Sequence, residues 1–294
     1  VLAPVDGSGL GLMRGREAGP ARPLTSLSAH EVRRTGRIDP LILTKTNSRS
    51  TVHRPGYMDY VGVVEYDADG NAVSERRFIG LYASSAYNRR PWDIPLVRER
   101  FEHVMATSGL RETGHSGKAL KHILETLPRD ELFQSTAEEL ARLGTGVLQL
   151  QERIRSRLFI RRDRYGDFYS ILAYGPRERF NTEVRLKLET MLKKELASDR
   201  VDSSVRLDES PLAQVHLIVR PRPGAQVEVD EQRLEKMLAD VVRNWLDDLR
   251  DELVMVHGEA EGMALFEQFG RPLGTAYIQD ATPAVAAADV SHLA

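Results

Sequence analysis

The stretch Arg157-Leu-Phe-Ile-Arg-Arg-Asp-Arg-Tyr-Gly-Asp-Phe-Tyr-Ser-Ile-Leu-Ala-Tyr174 decides the fold class of this chain. Two runs rich in apolar and aromatic residues, 157–162 and 168–174, are typical of β-strands. Between them lies Asp163-Arg-Tyr-Gly-Asp167, whose Asp and Gly residues favour a tight turn. The stretch therefore predicts two antiparallel strands joined as a hairpin.

Helices and a second pair of strands surround this hairpin. Thr136 and Glu139 form a capping-box pattern at the start of a helix before it, and Asn181 is a favourable N-cap for a helix after it. Two more strand patterns, 201–207 and 213–219, follow. The order of helix, two strands, helix, two strands and helix predicts a split βαβ, ferredoxin-like sandwich, of which the ACT-type regulatory domain is one example.

A second sheet is predicted nearer the N-terminus. Strand patterns cover 41–44, 60–66 and 74–82, and the turn sequence Asp67-Ala-Asp-Gly-Asn71 separates the last two. This turn begins like a calcium-binding loop, but the later positions lack the Gly and Glu that such a loop needs. We therefore interpret it as a hairpin turn. Amphipathic helical patterns follow the sheet.

The predicted fold is α+β, with two ACT-like or ferredoxin-like sandwich domains with antiparallel sheets, plus a helical C-terminal segment. From Asp230 to Leu253 the apolar spacing predicts one long helix across the second sheet. The first sheet domain is either ACT-like or PAS-like. The predicted boundaries are a linker or the end of a preceding domain over 1–36, the first α+β domain over 37–135, the second, ACT-like domain over 136–228 and the helical segment over 229–294.

Composition excludes several function classes. The 41 Lys and Arg residues nearly balance the 43 Asp and Glu residues, so no overall field attracts nucleic acid or an anionic membrane. The chain has no Cys, which excludes thiol chemistry, disulfides and iron–sulfur clusters and agrees with a cytoplasmic location. No apolar run approaches the roughly 20 residues of a membrane span. We expect no nucleic-acid partner and no membrane partner.

No catalytic, cofactor-binding or metal-ligating residue is assigned from the sequence. Gly7-Ser-Gly-Leu-Gly11 invites comparison with a dinucleotide-binding loop, but the position that needs the third Gly holds Arg14 and no clear strand precedes it. The eight His residues form no HExxH motif. Ferredoxin-like sheets can also bind RNA, but the chain lacks the aromatic motif that such binding uses.

The segment from Lys45 to Arg54 is the one candidate site. Lys45, Arg49 and Arg54 lie within ten residues of each other, beside hydroxyl groups such as that of Ser48. Arg can hold a carboxylate through a bidentate fork, and hydroxyls can add hydrogen bonds. One interpretation is a surface that binds an acidic effector, such as an amino acid, or an acidic patch of a parent enzyme. The alternative is that these side chains fix the connection and pair with acids such as Asp59 and Glu65 on a subunit surface.

Six segments together resemble the large bacterial NAD-specific glutamate dehydrogenases, in the long regulatory region on the N-terminal side of their catalytic domain. The segments are Leu43–Tyr60, Arg77-Phe-Ile-Gly-Leu-Tyr82, Ala86-Tyr-Asn-Arg-Arg-Pro-Trp-Asp-Ile-Pro95, Pro128-Arg-Asp-Glu-Leu-Phe-Gln134, Arg161-Arg-Asp-Arg-Tyr-Gly-Asp-Phe168 and Arg177-Glu-Arg-Phe-Asn-Thr182. The resemblance implies a multidomain cytoplasmic enzyme that oxidises glutamate to 2-oxoglutarate and ammonia with NAD, and that assembles as a homo-oligomer.

The resemblance carries no catalytic position into this chain. It implies that NAD binds to the parent enzyme and that this fragment is a non-catalytic regulatory and assembly region without a cofactor. The alternative is a stand-alone small-molecule sensor, for example for amino acids, built from ACT-like or PAS-like domains.

Overall fold

The computed structural model describes residues 40–52, 55–152, 155–207, 210–225 and 227–293, together with residues 5, 7–11 and 14. The predicted linker over 1–36 therefore lies almost wholly outside the described residues. The elements in chain order are β1 (Leu41–Arg49), β2 (Tyr57–Tyr66), β3 (Ala72–Gly80), α1 (Ser84–Asn88), α2 (Pro95–Thr107), α3 (His115–Thr126), α4 (Arg129–Gln134), α5 (Ala137–Glu152), β4 (Arg157–Arg162), β5 (Tyr169–Pro176), α6 (Thr182–Glu195), β6 (Ser198–Arg206), β7 (Leu212–Pro221), α7 (Glu231–Val242), α8 (Trp245–His257), α9 (Glu259–Leu265), α10 (Thr275–Asp280) and α11 (Pro283–Leu293).

The first sheet is antiparallel, with its strands in the order β1-β2-β3. The hairpin turn between β2 and β3 forms where the sequence predicts it. The Asp67 carboxylate accepts hydrogen bonds from the backbone N–H groups of Asp69 at 3.0 Å and Asn71 at 2.8 Å. The carboxylate therefore closes the turn by bonding to the turn's own backbone, as short polar side chains do in Asx turns.

Helices α2 to α5 pack against one side of the first sheet and one face of the second. The α5 helix starts with the predicted capping box, in which Thr136 N–H donates to Glu139 Oε2 at 2.8 Å and Glu139 N–H donates to Thr136 Oγ1 at 3.2 Å. One buried core joins Leu43 of β1 and these helices to β4, β5 and β7. The second sheet contributes Phe159, Leu172, Tyr174 and Leu212 to that core.

The second sheet is fully antiparallel and has the strand order β4-β5-β7-β6. A ferredoxin-like sandwich runs β-α-β-β-α-β. Here β5, α6, β6, β7 and α7 follow that order, while the remaining strand, β4, precedes them in the chain. The sheet is therefore a circular permutation of the predicted sandwich. Its other face packs on α6 and α7 in a separate buried core that contains Ile171, Val215 and Leu217.

The prediction of one long helix from Asp230 to Leu253 is wrong. The α7 helix ends at Val242, and a new helix, α8, begins after Asn244. Asn244 caps α8 with a complete capping box, in which its side chain and that of Asp247 each accept a backbone N–H of the other residue.

The chain changes direction between α7 and α8, and the apolar faces of the two helices pack in different cores. Leu234 and Leu238 of α7 pack on the second sheet, whereas Leu249 and Leu253 of α8 pack in a separate core with α9 and α11. A single straight helix could not bury both sets. The apolar spacing of the sequence runs on through the break and hides it.

Candidate functional site

A buried ion pair joins the helical region to the second sheet. Arg161 on β4 donates from Nε to Glu131 Oε2 at 3.0 Å and from Nη2 to Glu131 Oε1 at 2.7 Å. The side chains are only 8% and 4% exposed, respectively. Two parallel bonds of this kind fix the orientation of both groups as well as their distance. Neither residue was among the predicted site residues, because nothing in a sequence shows that two segments 30 residues apart will meet.

Polar neighbours satisfy the remaining bonding capacity of this pair. Gln134 Oε1 accepts a second bond from Arg161 Nη2 at 3.0 Å, and Ser170 Oγ donates to Glu131 Oε1 at 2.6 Å. Burial alone would raise the pKa of Glu131, but the Arg161 guanidinium outweighs it and lowers this pKa to about 2. The carboxylate is therefore ionised throughout the physiological pH range.

His216 on β7 extends this network on the second sheet. Its Nε2 lies 2.8 Å from Ser170 Oγ. Burial lowers the pKa of His216 below its usual range, while the nearby Glu131 carboxylate opposes that shift. His216 is therefore neutral near pH 7.

The trio of Ser170, His216 and Glu131 contains the residue types of a hydrolase triad in an unsuitable order. In a triad, His lies between the nucleophile and the carboxylate and removes the proton of the nucleophile. Here the Ser170 hydroxyl uses its single proton in the hydrogen bond to Glu131. Its oxygen can therefore only accept a bond from His216, so His216 Nε2 is the donor. His216 cannot act as a base toward this hydroxyl in that arrangement. The network stabilises the interface and does not activate a nucleophile.

Lys45 belongs to a second, internal charge cluster. Its Nζ lies 2.6 Å from Asp59 Oδ1 and 3.1 Å from Asp130 Oδ1. Burial by itself would lower the pKa of Lys45, but Asp130 and Asp59 together raise it above its usual value. Asp59 also accepts the backbone N–H of Tyr82 at 2.7 Å. Lys45 thus joins β1 to β2 and α4, as the alternative interpretation of the sequence proposes.

The turn between β4 and β5 contacts the first sheet at Thr44 and Glu75. Asp163 accepts a hydrogen bond from the Thr44 hydroxyl and another from the backbone N–H of Tyr165 at 3.0 Å. Tyr165 reaches further along that sheet and donates its hydroxyl to Glu75 Oε1 at 3.2 Å. Gly166 adopts a φ of +75°, which residues with a side chain rarely adopt. The turn is therefore shaped to fit against the first sheet.

The remaining predicted site residues lie at the far end of β1. Arg49 Nη2 lies 2.6 Å from Asp202 Oδ1 on β6, and the two side chains are 39% and 32% exposed. Ser48 is exposed, and its backbone bonds to the Thr46 hydroxyl. Arg54 lies outside the described residues. Lys45 and Arg49 therefore share a strand but have different partners, one pair buried and the other exposed.

The described part of the chain contains neither a cluster that could hold a metal ion nor a helix that could span a membrane. No group of three or more His, Cys, Asp or Glu residues there is arranged to hold a metal ion. None of the helices described is both long and apolar enough to cross a bilayer.

Comparison with known proteins identifies the family. Three family models match in sequence order: "Glutamate dehydrogenase, helical motif 1" over 94–153, "Glutamate dehydrogenase, ACT2 domain" over 157–246 and "Glutamate dehydrogenase, helical motif 2" over 252–294. The ACT2 match covers the second sheet with α6 and α7. The chain belongs to the NAD-specific glutamate dehydrogenase family. The ion pair between Glu131 and Arg161 therefore joins helical motif 1 of this dehydrogenase family to its ACT2 domain.

Relatives in three bacteria are named NAD-specific glutamate dehydrogenase. The chain is 39% identical to the protein of Halomonas elongata over 85% of its own length, and 38% identical to that of Pseudomonas aeruginosa over 87%. It is 31% identical to that of Mycobacterium tuberculosis over 97%. The chain spans only 15%, 16% and 17% of these glutamate dehydrogenases, respectively.

Replacing one partner of the buried ion pair is expected to destabilise the chain strongly. Glu131→Gln leaves the Arg161 guanidinium buried without its carboxylate, and should lower the free energy of unfolding by about 3 to 5 kcal/mol. Glu183→Gln is the matched control, because it breaks an exposed ion pair with Lys187 and should change that free energy by less than about 1 kcal/mol. Urea denaturation measures both. Equal effects would contradict a special role of the buried pair.

The neutral state of His216 is expected to make stability depend on pH. Its folded pKa is lowered, so below about pH 6.5 the unfolded chain binds a proton that the folded chain resists. Stability is therefore present above that pH and lost as the pH falls. One such group can change the free energy of unfolding by up to about 1.4 kcal/mol per pH unit, and His216→Gln should remove this contribution. Urea denaturation between pH 7.5 and 5.5 measures it, with His103→Gln as an exposed control. Parallel curves for His216→Gln and the unmodified chain would contradict the assignment.

Proposed function

We propose that this chain is a non-catalytic regulatory and assembly region of a large NAD-specific glutamate dehydrogenase. The parent enzyme would convert L-glutamate, NAD and water to 2-oxoglutarate, ammonium and NADH in the cytoplasm, with NAD bound outside this chain. The family match and the names of the relatives support the parent activity. The division into a first α+β domain, an ACT-like domain and a helical segment remains part of this proposal.

The observation that carries the proposal is that the chain itself covers both faces of its ACT-like sheet. Every residue of β5 from Tyr169 to Gly175 is buried. The α6 and α7 helices cover one face, and the helices that precede the sheet cover the other. A sheet covered on both sides offers no open face to a substrate. It is suited to hold neighbouring domains in a fixed relation.

The charged contacts of the first sheet support a docking role within this assembly. Lys45 and Arg49 both pair with acids of the same chain. Because Arg49 and Ser48 are partly or fully exposed, they remain, with Arg54, the proposed surface for an acidic effector or an acidic patch of the parent enzyme. Lys45 would not bind the acidic group itself, because its ammonium pairs with Asp59 and Asp130. It would instead hold in place the strand that carries Ser48 and Arg49.

The isolated 294-residue chain is expected to form no NADH from glutamate. The reason is that Ser170 is buried and bonded to both Glu131 and His216, so this trio offers no activated nucleophile to a substrate. Absorbance of NADH, followed with purified chain, glutamate and NAD, measures this. Full-length enzyme prepared in the same way is the positive control. NADH formation by the isolated chain, free of contaminating dehydrogenase, would refute the non-catalytic assignment.

Removing Arg49 and Arg54 is expected to alter regulation of the full-length enzyme. Arg49→Ala combined with Arg54→Ala should change the response to acidic effectors or the state of subunit assembly, because the two guanidinium groups are the ones proposed to hold the acidic group by charge-assisted hydrogen bonds. Steady-state kinetics and sedimentation measure these properties. Arg222→Ala, which breaks an exposed pair with Asp199, is the control. If kinetics, assembly and melting temperature all stay unchanged, the segment is an ordinary solvated loop.

A further inference from the structure

The end of β1, the start of β2 and the connection between them reach the second sheet. We call their described residues, 46–52 and 55–58, the arm. Lys45 lies opposite Asp59 and Arg49 opposite Tyr57, so β1 carries two more residues than β2 over this step. Such an insertion bends a strand away from the regular ladder. It directs the arm toward β6 and β7.

The arm contacts the second sheet through polar and aromatic groups. Arg220 on β7 donates from Nε to Asn47 Oδ1 at 3.2 Å, and its guanidinium lies 3.6 Å from the centre of the Tyr57 ring. The Arg49 guanidinium lies 4.8 Å from the same ring and pairs with Asp202. Arg200 shares that carboxylate at 3.0 Å. These contacts are electrostatic in origin.

The arm contributes nothing to the apolar cores. None of its described residues belongs to any of the four buried hydrophobic clusters or to the side chains packed on them. Leu43 and Val61, which lie on the same two strands just beyond the arm, both do. Attachment through the apolar cores therefore ends at Lys45 and Asp59, whose part-buried ion pair closes the regular part of the ladder.

We propose that the arm is an electrostatic latch that can release from β6 and β7 while the rest of the interface stays closed. Segments with few buried apolar contacts open at low free energy, and the parts of proteins that move in regulation come from such segments. Exposed charge pairs weaken further as salt shortens the screening length. The Glu131–Arg161 pair and the shared core are buried and are screened much less. The regulatory use of the latch rests on the proposed function, but its opening does not.

Spin labels can measure this opening because the chain contains no Cys. Ser48→Cys places one label on an exposed residue of the arm, and Leu186→Cys places another on α6, where the native side chain is 50% exposed. A second chain carries Glu99→Cys on α2 with the same Leu186→Cys, and reports the remainder of the interface. Pulsed electron–electron double resonance measures the distribution of distances between the two labels in each chain.

The latch predicts a change in the first label pair only. Raising NaCl from about 0.1 M to about 1 M shortens the Debye length from about 10 Å to about 3 Å. This change, or Arg49→Gln, should raise the ratio of long to short distances about two- to fivefold for Ser48–Leu186, as expected for loss of one exposed ion pair. The Glu99–Leu186 distribution should stay unchanged. These results would support the latch.

A matched variant tests whether the effect belongs to the arm. Arg222→Gln breaks the exposed Arg222–Asp199 pair, which joins the residue after β7 to β6 and does not involve the arm. It should leave the Ser48–Leu186 distribution as it is in the unmodified chain. A distribution that responds neither to salt nor to Arg49→Gln would overturn the proposal, because the arm is then fixed. A parallel change in the Glu99–Leu186 pair, or an equal response to Arg222→Gln, would overturn it as well, because the opening is then not local.

Discussion

The ion pair between Glu131 and Arg161 constrains the rest of this structure. Removing two charges from water is unfavourable, and their attraction offsets this only when the geometry is good and the remaining donors and acceptors are satisfied. Gln134 and Ser170 complete that requirement from two different elements. If the second sheet slid or rotated against α4, it would leave a buried charge without its partner. The pair therefore selects one relative position of sheet and helix, whatever its net contribution to stability.

Around this pair the interface changes its physical character with distance. Near the centre, an apolar core shared by the helices and the second sheet excludes water. At the periphery, the charge-assisted hydrogen bond between Arg49 and Asp202 is partly exposed. Screening by salt and competition by other anions act on exposed pairs much more than on buried ones. The interface therefore combines a buried part, which salt screens little, with an exposed part, which salt screens more.

Two of the segments that reveal the family hold each other in space. Pro128–Gln134 supplies Glu131, and Arg161–Phe168 supplies Arg161 and the turn that docks on the first sheet. Their residues are unusual for surface segments because they serve a buried polar contact. The candidate site was predicted less well. The sequence places Lys45 either in a ligand surface or in pairs with acids such as Asp59 and Glu65, and the structure gives it Asp59 and Asp130 as partners, while Glu65 pairs with Arg76. A cationic run looks the same in sequence in both cases, because burial depends on what packs over it.

The sequence by itself determined the local structure. Alternating strand patterns, the turn at Asp67 and the caps at Thr136 and Asn181 act over a few residues, so both sheets and most helices could be predicted. It also carried the capping box at Asn244, but the apolar spacing masked that signal. Only the tertiary structure decided where α7 ends, which acid meets Arg161 and which basic side chains are buried. Those outcomes depend on contacts between residues far apart in the chain, which no local pattern encodes.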